Sequence, residues 1–388
     1  MTRCAALALL GLASASALAS ASAASFPLPA DGGTVVGEVR VVRLEDARNT
    51  LLDVARHYDL GYEEIVAANP GVPVWLPPEG ARIVVPTEFV LPPRPWSGVV
   101  IDVPRRRLYF FPKAAPGEAP RVVTFPIGIA QPGWPTPLGE TRIVAKFRDP
   151  SWVVPQDILA EQHEQGEADF PAYFPPGPDN PMGLLAMETG FSQIYLHGTS
   201  RPWGVGMRVS HGCLHLYPED AAALYPLLRV GTPVRIVNRP LLVGARDGRL
   251  YLSASPPLAD YPAAGDFLTR AVQTVVQFEG AHGGLDDPVD WKRALRVARA
   301  KRFIATPLAP PARGTELALA AKAEAPYRFA PYGVDANDAE VPAEEVSSLG
   351  PCRSRKPDMR TSAASPTSAA AATPGCSPTA PGAGRTPG

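Results

Sequence analysis

Cys213 stands in the run Ser210-His211-Gly212-Cys213, and His197-Gly198-Thr199 lies a short loop upstream. These residue types, this close together, suit acyl transfer. A nucleophilic thiol needs a base to take its proton, donors for the oxyanion it creates, and room for a carbonyl to approach. An ordinary thiol, with a pKa of about 8.5, is only slightly ionised at neutral pH, so a neighbouring histidine favours the thiolate. On this reading Cys213 is the nucleophile and His197 the base. Backbone N–H groups around His211, Gly212 and Cys213 are the oxyanion donors, and Gly212 has no side chain to obstruct close approach. Taken singly, each residue has a plainer role: free cysteines are commonly inert and buried, and a lone histidine is more often a hydrogen-bonded core residue. Zinc is the rival use of the same side chains. Cys213, His197, His211 and His215 supply four potential ligands, but the Cys-x₂₋₄-Cys and His-x₃₋₅-His spacings are absent. No metal or other cofactor is therefore expected, and no Cys-x-x-Cys is present for disulfide exchange.

The wider run YLHGTSRPWGVGMRVSHGCLHLYPEDAAALYPLL, residues 195–228, resembles the L,D-transpeptidase catalytic domain (YkuD-type, ErfK/YbiS-like). That family's hallmark is a histidine, a loop and then [Ser/Thr]-His-Gly-Cys. PIGIAQPGWPTPLGETRI (126–143), GPDNPMG (177–183) and GTPVRIV (231–237) are similar to further family segments, so the resemblance spans about residues 97–238. It implies a β-sandwich-like domain with Cys213 as nucleophile and His197 as base, its ring oriented by the carbonyl of Gly198. Ser210 and His211 would shape the pocket, with Gly212 at the oxyanion hole and Thr199 and His215 on the substrate side. His215 departs from the pattern, which has Arg or Asn there. The substitution carries the expectation that activity responds to pH between about 5 and 8, where histidine changes charge. The implied partners are peptidoglycan stem peptides and glycan. The acyl acceptor would be a second stem, a lysine of an envelope lipoprotein, or water, the last being L,D-carboxypeptidase activity. A non-catalytic peptidoglycan-binding protein is the alternative of a different class, and elevated reactivity of the Cys213 thiol would separate the two.

Lys and Arg number 37 and Asp and Glu 38, for a net charge of −1. No basic excess marks a nucleic-acid partner. Residues 1–24 read as a secretory signal: Arg3, the apolar run AALALLGLA (5–13), then the small-residue sites Ala19-Ser20-Ala21 and Ala21-Ser22-Ala23. The apolar run falls short of the roughly 20 residues that span a bilayer. The mature chain is expected in the periplasm without a transmembrane segment. Four cysteines are present. Export removes Cys4 and leaves an odd number, which calls for a free thiol, with Cys213 the natural one. Cys352 and Cys376 are free to pair with each other.

Stepping along the chain, the expected fold class is mostly β, with a small βααβ module in front and a disordered C-terminal tail. EVRVVRL (38–44) and ARIVVPT (81–87) alternate as strands, and NTLLDVARHYDL (49–60) and residues 62–68 have helical spacing. This order over residues 38–87 resembles the LysM module, a binder of N-acetylglucosamine-containing glycans. Its usual Gly-Asp-Thr-Leu is here Arg48-Asn49-Thr50-Leu51. A Pro92-Pro93-Arg94-Pro95 linker follows, then strands around a Pro104-Arg105-Arg106 turn, with Arg105, Arg106 and Arg107 read as a solvated charge run. Residues 155–180 form a long polar insertion with a short helical start, suited to cover a groove or simply to line the surface. Residues 239–308 are expected to add a hairpin at Ala245-Arg246-Asp247-Gly248 and helices over 267–278 and 291–303. Residues 309–388, rich in Ala, Pro, Ser and Gly, form the low-complexity tail. His57, His163 and His282 belong to no motif and are read as surface or packing residues.

Overall fold

The computed structural model describes residues 24–282, 288–309, 322–329 and 331–332. Among these, nine strands form the main sheet. Their order is Ala24–Pro27, Arg121–Pro126, Arg107–Phe111, Gly98–Asp102, Pro233–Val237, Gly139–Arg148, Leu185–Thr189, Tyr195–His197 and Leu214–His215. Two pairings are parallel, Gly98–Asp102 with Pro233–Val237 and Tyr195–His197 with Leu214–His215. The mostly-β expectation holds. The leader residues 1–23, Cys4, Cys352 and Cys376 lie outside the described residues. No helix among the described residues is long and apolar enough to cross a membrane.

The continuous apolar run Gly98-Val99-Val100-Ile101 marks a strand buried on both faces. Val99 and Ile101 point into a core with Leu214, Leu216, Leu224 and Leu228. Val100, on the opposite face, joins Tyr109, Phe111 and Val122 against Leu44, Leu51, Val54 and Ile65. The N-terminal unit therefore shares its core with the back of the main sheet. That unit has the expected βααβ order: strand Arg40–Leu44, helix α1 (Leu51–His57), helix α2 (Tyr62–Ala68), strand Arg82–Val85. Thr50 caps α1 reciprocally with Asp53, its Oγ1 accepting from the Asp53 N–H at 3.1 Å while the Asp53 carboxylate accepts from the Thr50 N–H at 2.6 Å. The unit also touches the loop ahead of Cys213. Tyr62 N–H donates to the Val205 carbonyl at 3.0 Å. Gly206, at φ +88°, lies so close that a Cβ there would sit 2.2 Å from the Tyr62 nitrogen.

The three arginines correct the sequence reading. Arg105, Arg106 and Arg107 are only 4%, 4% and 1% exposed. Arg107 makes a bidentate pair with Glu64 of α2, at 2.8 and 2.6 Å, and donates to the Asp59 carbonyl and the Thr124 hydroxyl. Arg106 lies 3.6 Å from Glu63. Arg105 donates to the Ser253 hydroxyl and to the Phe303 carbonyl in the C-terminal extension. A charge run looks solvated from local sequence, but partners distant in the chain desolvate all three.

Downstream, strands Leu241–Arg246 and Arg249–Ala254 pair as the expected hairpin, with Asp247 and Gly248 at φ +51° and +69°. These positive angles suit a two-residue turn. Helices α5 (Phe267–His282) and α6 (Trp291–Ala300) pack on it through Ala271, Val275, Ala294 and Ala298. One part of the proposed tail is structured. Ala325–Tyr327 adds a parallel strand beside Arg40–Leu44, and Tyr327 is fully buried. The Tyr327 and Phe329 rings supply apolar area that the surrounding small residues lack, and the Phe329 ring lies tilted against His57 at 3.6 Å between centroids.

Candidate active site

Helix α3 (Gln156–Glu164) and helix α4 (Pro218–Leu224) flank the segment that carries the sequence-predicted residues. Strand Tyr195–His197 runs beside Leu214–His215 with Leu196 opposite Leu214 and His197 opposite His215. This register places Cys213 just before the second strand, one strand away from His197. Leu216 N–H donates to the His197 carbonyl at 2.8 Å and closes the ladder. The His197 and His215 rings approach to 4.5 Å between centroids.

Cys213 is a free thiol and partly exposed, with Sγ 3.4 Å from the Gln193 carbonyl. Burial of the sulfur pushes its pKa up to about 11, against a backbone hydrogen bond from Tyr195 that lowers it. His197 is 3% exposed, and its Nδ1 lies 2.6 Å from the Gly198 carbonyl. A carbonyl oxygen only accepts, so Nδ1 carries the proton and Nε2 the lone pair. Burial lowers the His197 pKa to about 4, with backbone bonds to Gly198 and Met182 opposing. The resting pair is a neutral thiol and a neutral imidazole.

Ser210 spans the turn: its hydroxyl donates to the Cys213 carbonyl at 2.6 Å and accepts from the Gly212 N–H at 3.3 Å. Gly212 sits at φ +115°, and a Cβ there would meet Ile194 Cδ1 at 2.9 Å. The φ is what calls for glycine at this position, since the Ile194 tip is the movable end of a side chain. Thr199 is buried and its hydroxyl accepts from the Arg201 N–H. The structure thus gathers all eight predicted residues around one turn and one strand pair. For His215 the structure adds a direction to the pH expectation. Burial, the largest effect, holds its pKa well below the ordinary 6.5, so its charge change lies on the acid side of that value.

Several neighbours escaped the sequence reading. His211 Nε2 lies 2.8 Å from Glu161 of α3 and 3.2 Å from Gln131, with Trp134 edge-on. The 155–180 insertion, packed on its own cluster of Val154, Ile158, Leu159 and Phe174, is thereby tied to the turn. Thr136, inside the PTPLG run, donates to the Gly212 carbonyl at 2.8 Å. Asn180 organises its own loop by accepting from the Met182 N–H and donating to the Pro150 carbonyl. Thr136 and Asn180 lie in segments that the family resemblance had singled out; nothing local in the sequence pointed to Glu161.

Comparison with known proteins agrees with this geometry. Residues 97–236 match the model of the L,D-transpeptidase catalytic domain, YkuD. The chain is 36% identical over 262 residues to "Probable L,D-transpeptidase YbiS" of Escherichia coli K12, covering 65% of this chain and 83% of that protein. It is also 36% identical over 239 residues to "Probable L,D-transpeptidase ErfK/SrfK" of the same strain, covering 61% and 75%. A third relative there, "Probable L,D-transpeptidase YcfS", is 36% identical over 241 residues, covering 61% and 74%. With a catalytic-domain match over the very segment that holds Cys213 and His197, and relatives aligned over most of their length, this chain belongs to the L,D-transpeptidase family.

Proposed function

We propose that Cys213 is the acyl-enzyme nucleophile, that His197 is its base, and that the substrate is the tetrapeptide stem of peptidoglycan. The observation that carries this reading is a free, reachable thiol one strand away from a buried imidazole whose Nδ1–H is locked on Gly198. That lock leaves Nε2 to accept the thiol proton. Sγ adds to the carbonyl at the L-centre of the diamino acid, and the bond to the terminal D-Ala nitrogen breaks. The departing amine takes the proton from His197, and a thioester remains. Backbone N–H groups of the His211–Cys213 turn stabilise the oxyanion. An acceptor amine then displaces Sγ. A second stem gives a 3→3 cross-link, and a lysine of an envelope lipoprotein gives an anchored protein.

The chain is exported to the periplasm, and its βααβ unit acts as a LysM-like glycan contact. Trp75 and Leu76, 42% and 76% exposed in the loop after α2, offer apolar surface for it. Such a contact raises the local concentration of stems at the active site. The test is mass spectrometry of the signal-less protein with purified disaccharide-tetrapeptide, beside Cys213→Ala. Cross-linked dimers from the unsubstituted protein alone are expected. Tripeptide without dimers would replace the transferase reading with the carboxypeptidase, and no product with no thioester adduct would leave a binding protein.

A further inference from the structure

The first described strand begins at Ala24, and its backbone nitrogen lies 2.6 Å from Asp59 Oδ2. Asp59 lies in the turn after α1, in the left-handed region at φ +52°, and its side chain is buried. A second carboxylate, Asp220 of α4, is 2% exposed, and its Oδ2 has no hydrogen-bond partner among the described residues. The two interact: Asp59 and Glu219 both disfavour ionisation of Asp220, beyond the effect of burial. Two guanidiniums face this group, and each already holds a glutamate: Arg56 pairs with Glu219 at 2.7 and 3.0 Å, and Arg107 with Glu64. Asp59 and Asp220 are thus two further buried carboxylates beside cations that other acids engage. A buried carboxylate short of a counter-charge is strongly destabilising. Burial accordingly pushes Asp59 up to about 6, which the neutral amide of Ala24 and the Arg107 charge that Glu64 already engages do not offset.

The sequence offers the missing cation. Of the two small-residue sites in the leader, Ala21-Ser22-Ala23 precedes Ala24 directly. We propose that a signal peptidase hydrolyses the Ala23–Ala24 bond and that the freed α-ammonium of Ala24 docks on Asp59, neutralising its carboxylate pair with Asp220. Water adds across the amide, leaving a carboxylate on Ala23 and, at neutral pH, an ammonium on Ala24, since an α-amine ordinarily titrates near about 8. A hydrogen bond from a neutral amide to the carboxylate becomes an ammonium–carboxylate ion pair. The docked terminus closes onto the catalytic segment through α4. Tyr217, just ahead of that helix, donates to the Leu60 carbonyl at 3.1 Å beside Asp59, and Leu216 is bonded to His197. Removal of the leader therefore completes the ion pairing behind the active site as well as freeing the chain.

Two proteins test this, one beginning at Ala24 and one with a single glycine before Ala24, each with and without Asp59→Asn. Asparagine tolerates the left-handed angle as aspartate does. The glycine extension is expected to lower Tm by about 2–4 °C, the response of a domain of this size to a modest loss. Asp59→Asn is expected to lower Tm of the Ala24 form and to raise that of the extended form, an inversion that a purely structural aspartate would not produce. Equal Tm values for the two forms, or the same Asp59→Asn effect in both, would overturn the docking. Intact mass of the protein recovered after export is expected to begin at Ala24, and any other first residue would overturn the processing site.

Discussion

Cys213 and His197 are both held in their uncharged forms, and that sets their pH behaviour. The thiol titrates near about 11 and the imidazole near about 4. Alkylation of Cys213 by iodoacetamide in the resting enzyme should therefore keep rising through pH 8.5 and on towards 11. A plateau well below the ordinary thiol value would show an ion pair at rest instead. His197→Gln should reduce turnover by about 10²–10⁴-fold, the usual worth of a positioned base, while leaving Cys213 present and alkylatable. The same histidine affects stability. Its folded pKa lies below the ordinary 6.5, so its contribution is whole above pH 6.5 and is lost as pH falls from there through about 4. In His197→Gln, Tm should fall less steeply over that interval. Burial moves the charge change of His215 below the ordinary histidine value: the ratio of unsubstituted to His215→Gln rates is expected to change only below pH 6.5, and a change above it would contradict this.

The turn between strands Arg208–Ser210 and Leu214–His215 is built for one backbone path, which Gly212 alone among residue types fits well. Gly212→Ala should cost about 10²–10³-fold in turnover by displacing the backbone N–H groups proposed as oxyanion donors. Adding Ile194→Val removes the nearest atom but not the strained φ, so it should restore little; full recovery would show that crowding alone was at issue. Much of this element was legible in advance. His-Gly-Cys with an upstream His-Gly pointed to the stretch where Cys213, His197 and the Gly198 carbonyl come together, because those contacts are local or lie along one strand pair. The Glu161–His211 bond was not legible, since it joins a helix of the insertion to the turn across fifty positions. The same blindness misjudged Arg105, Arg106 and Arg107, whose acids and carbonyls come from elsewhere in the chain. It also missed Ala325–Tyr327, where two aromatic residues in a low-complexity stretch suffice to anchor a strand.

At the scale of the molecule, the sheet is covered on one face by its own helix α4 and on the other by the N-terminal unit. Arg107 and Glu64 lie in that second interface, almost fully buried. Arg107→Met should destabilise by about 3–5 kcal/mol, because Glu64 is left charged and unpaired. Replacing Glu64 by Met as well should recover most of the loss, measured by urea unfolding, and additive losses would contradict it. Unfolding should show one transition for the N-terminal unit and the sheet together, since neither buries Val100, Tyr109 or Leu51 alone. Three consecutive arginines address three segments: Arg105 the C-terminal hairpin, Arg106 and Arg107 the two acids of α2, and Arg107 also the turn after α1. Such an arrangement is inherited whole. Recombination that exchanged the front unit for another would strand two guanidiniums in an apolar seam, so this lineage can change its parts by point substitution far more readily than by shuffling them.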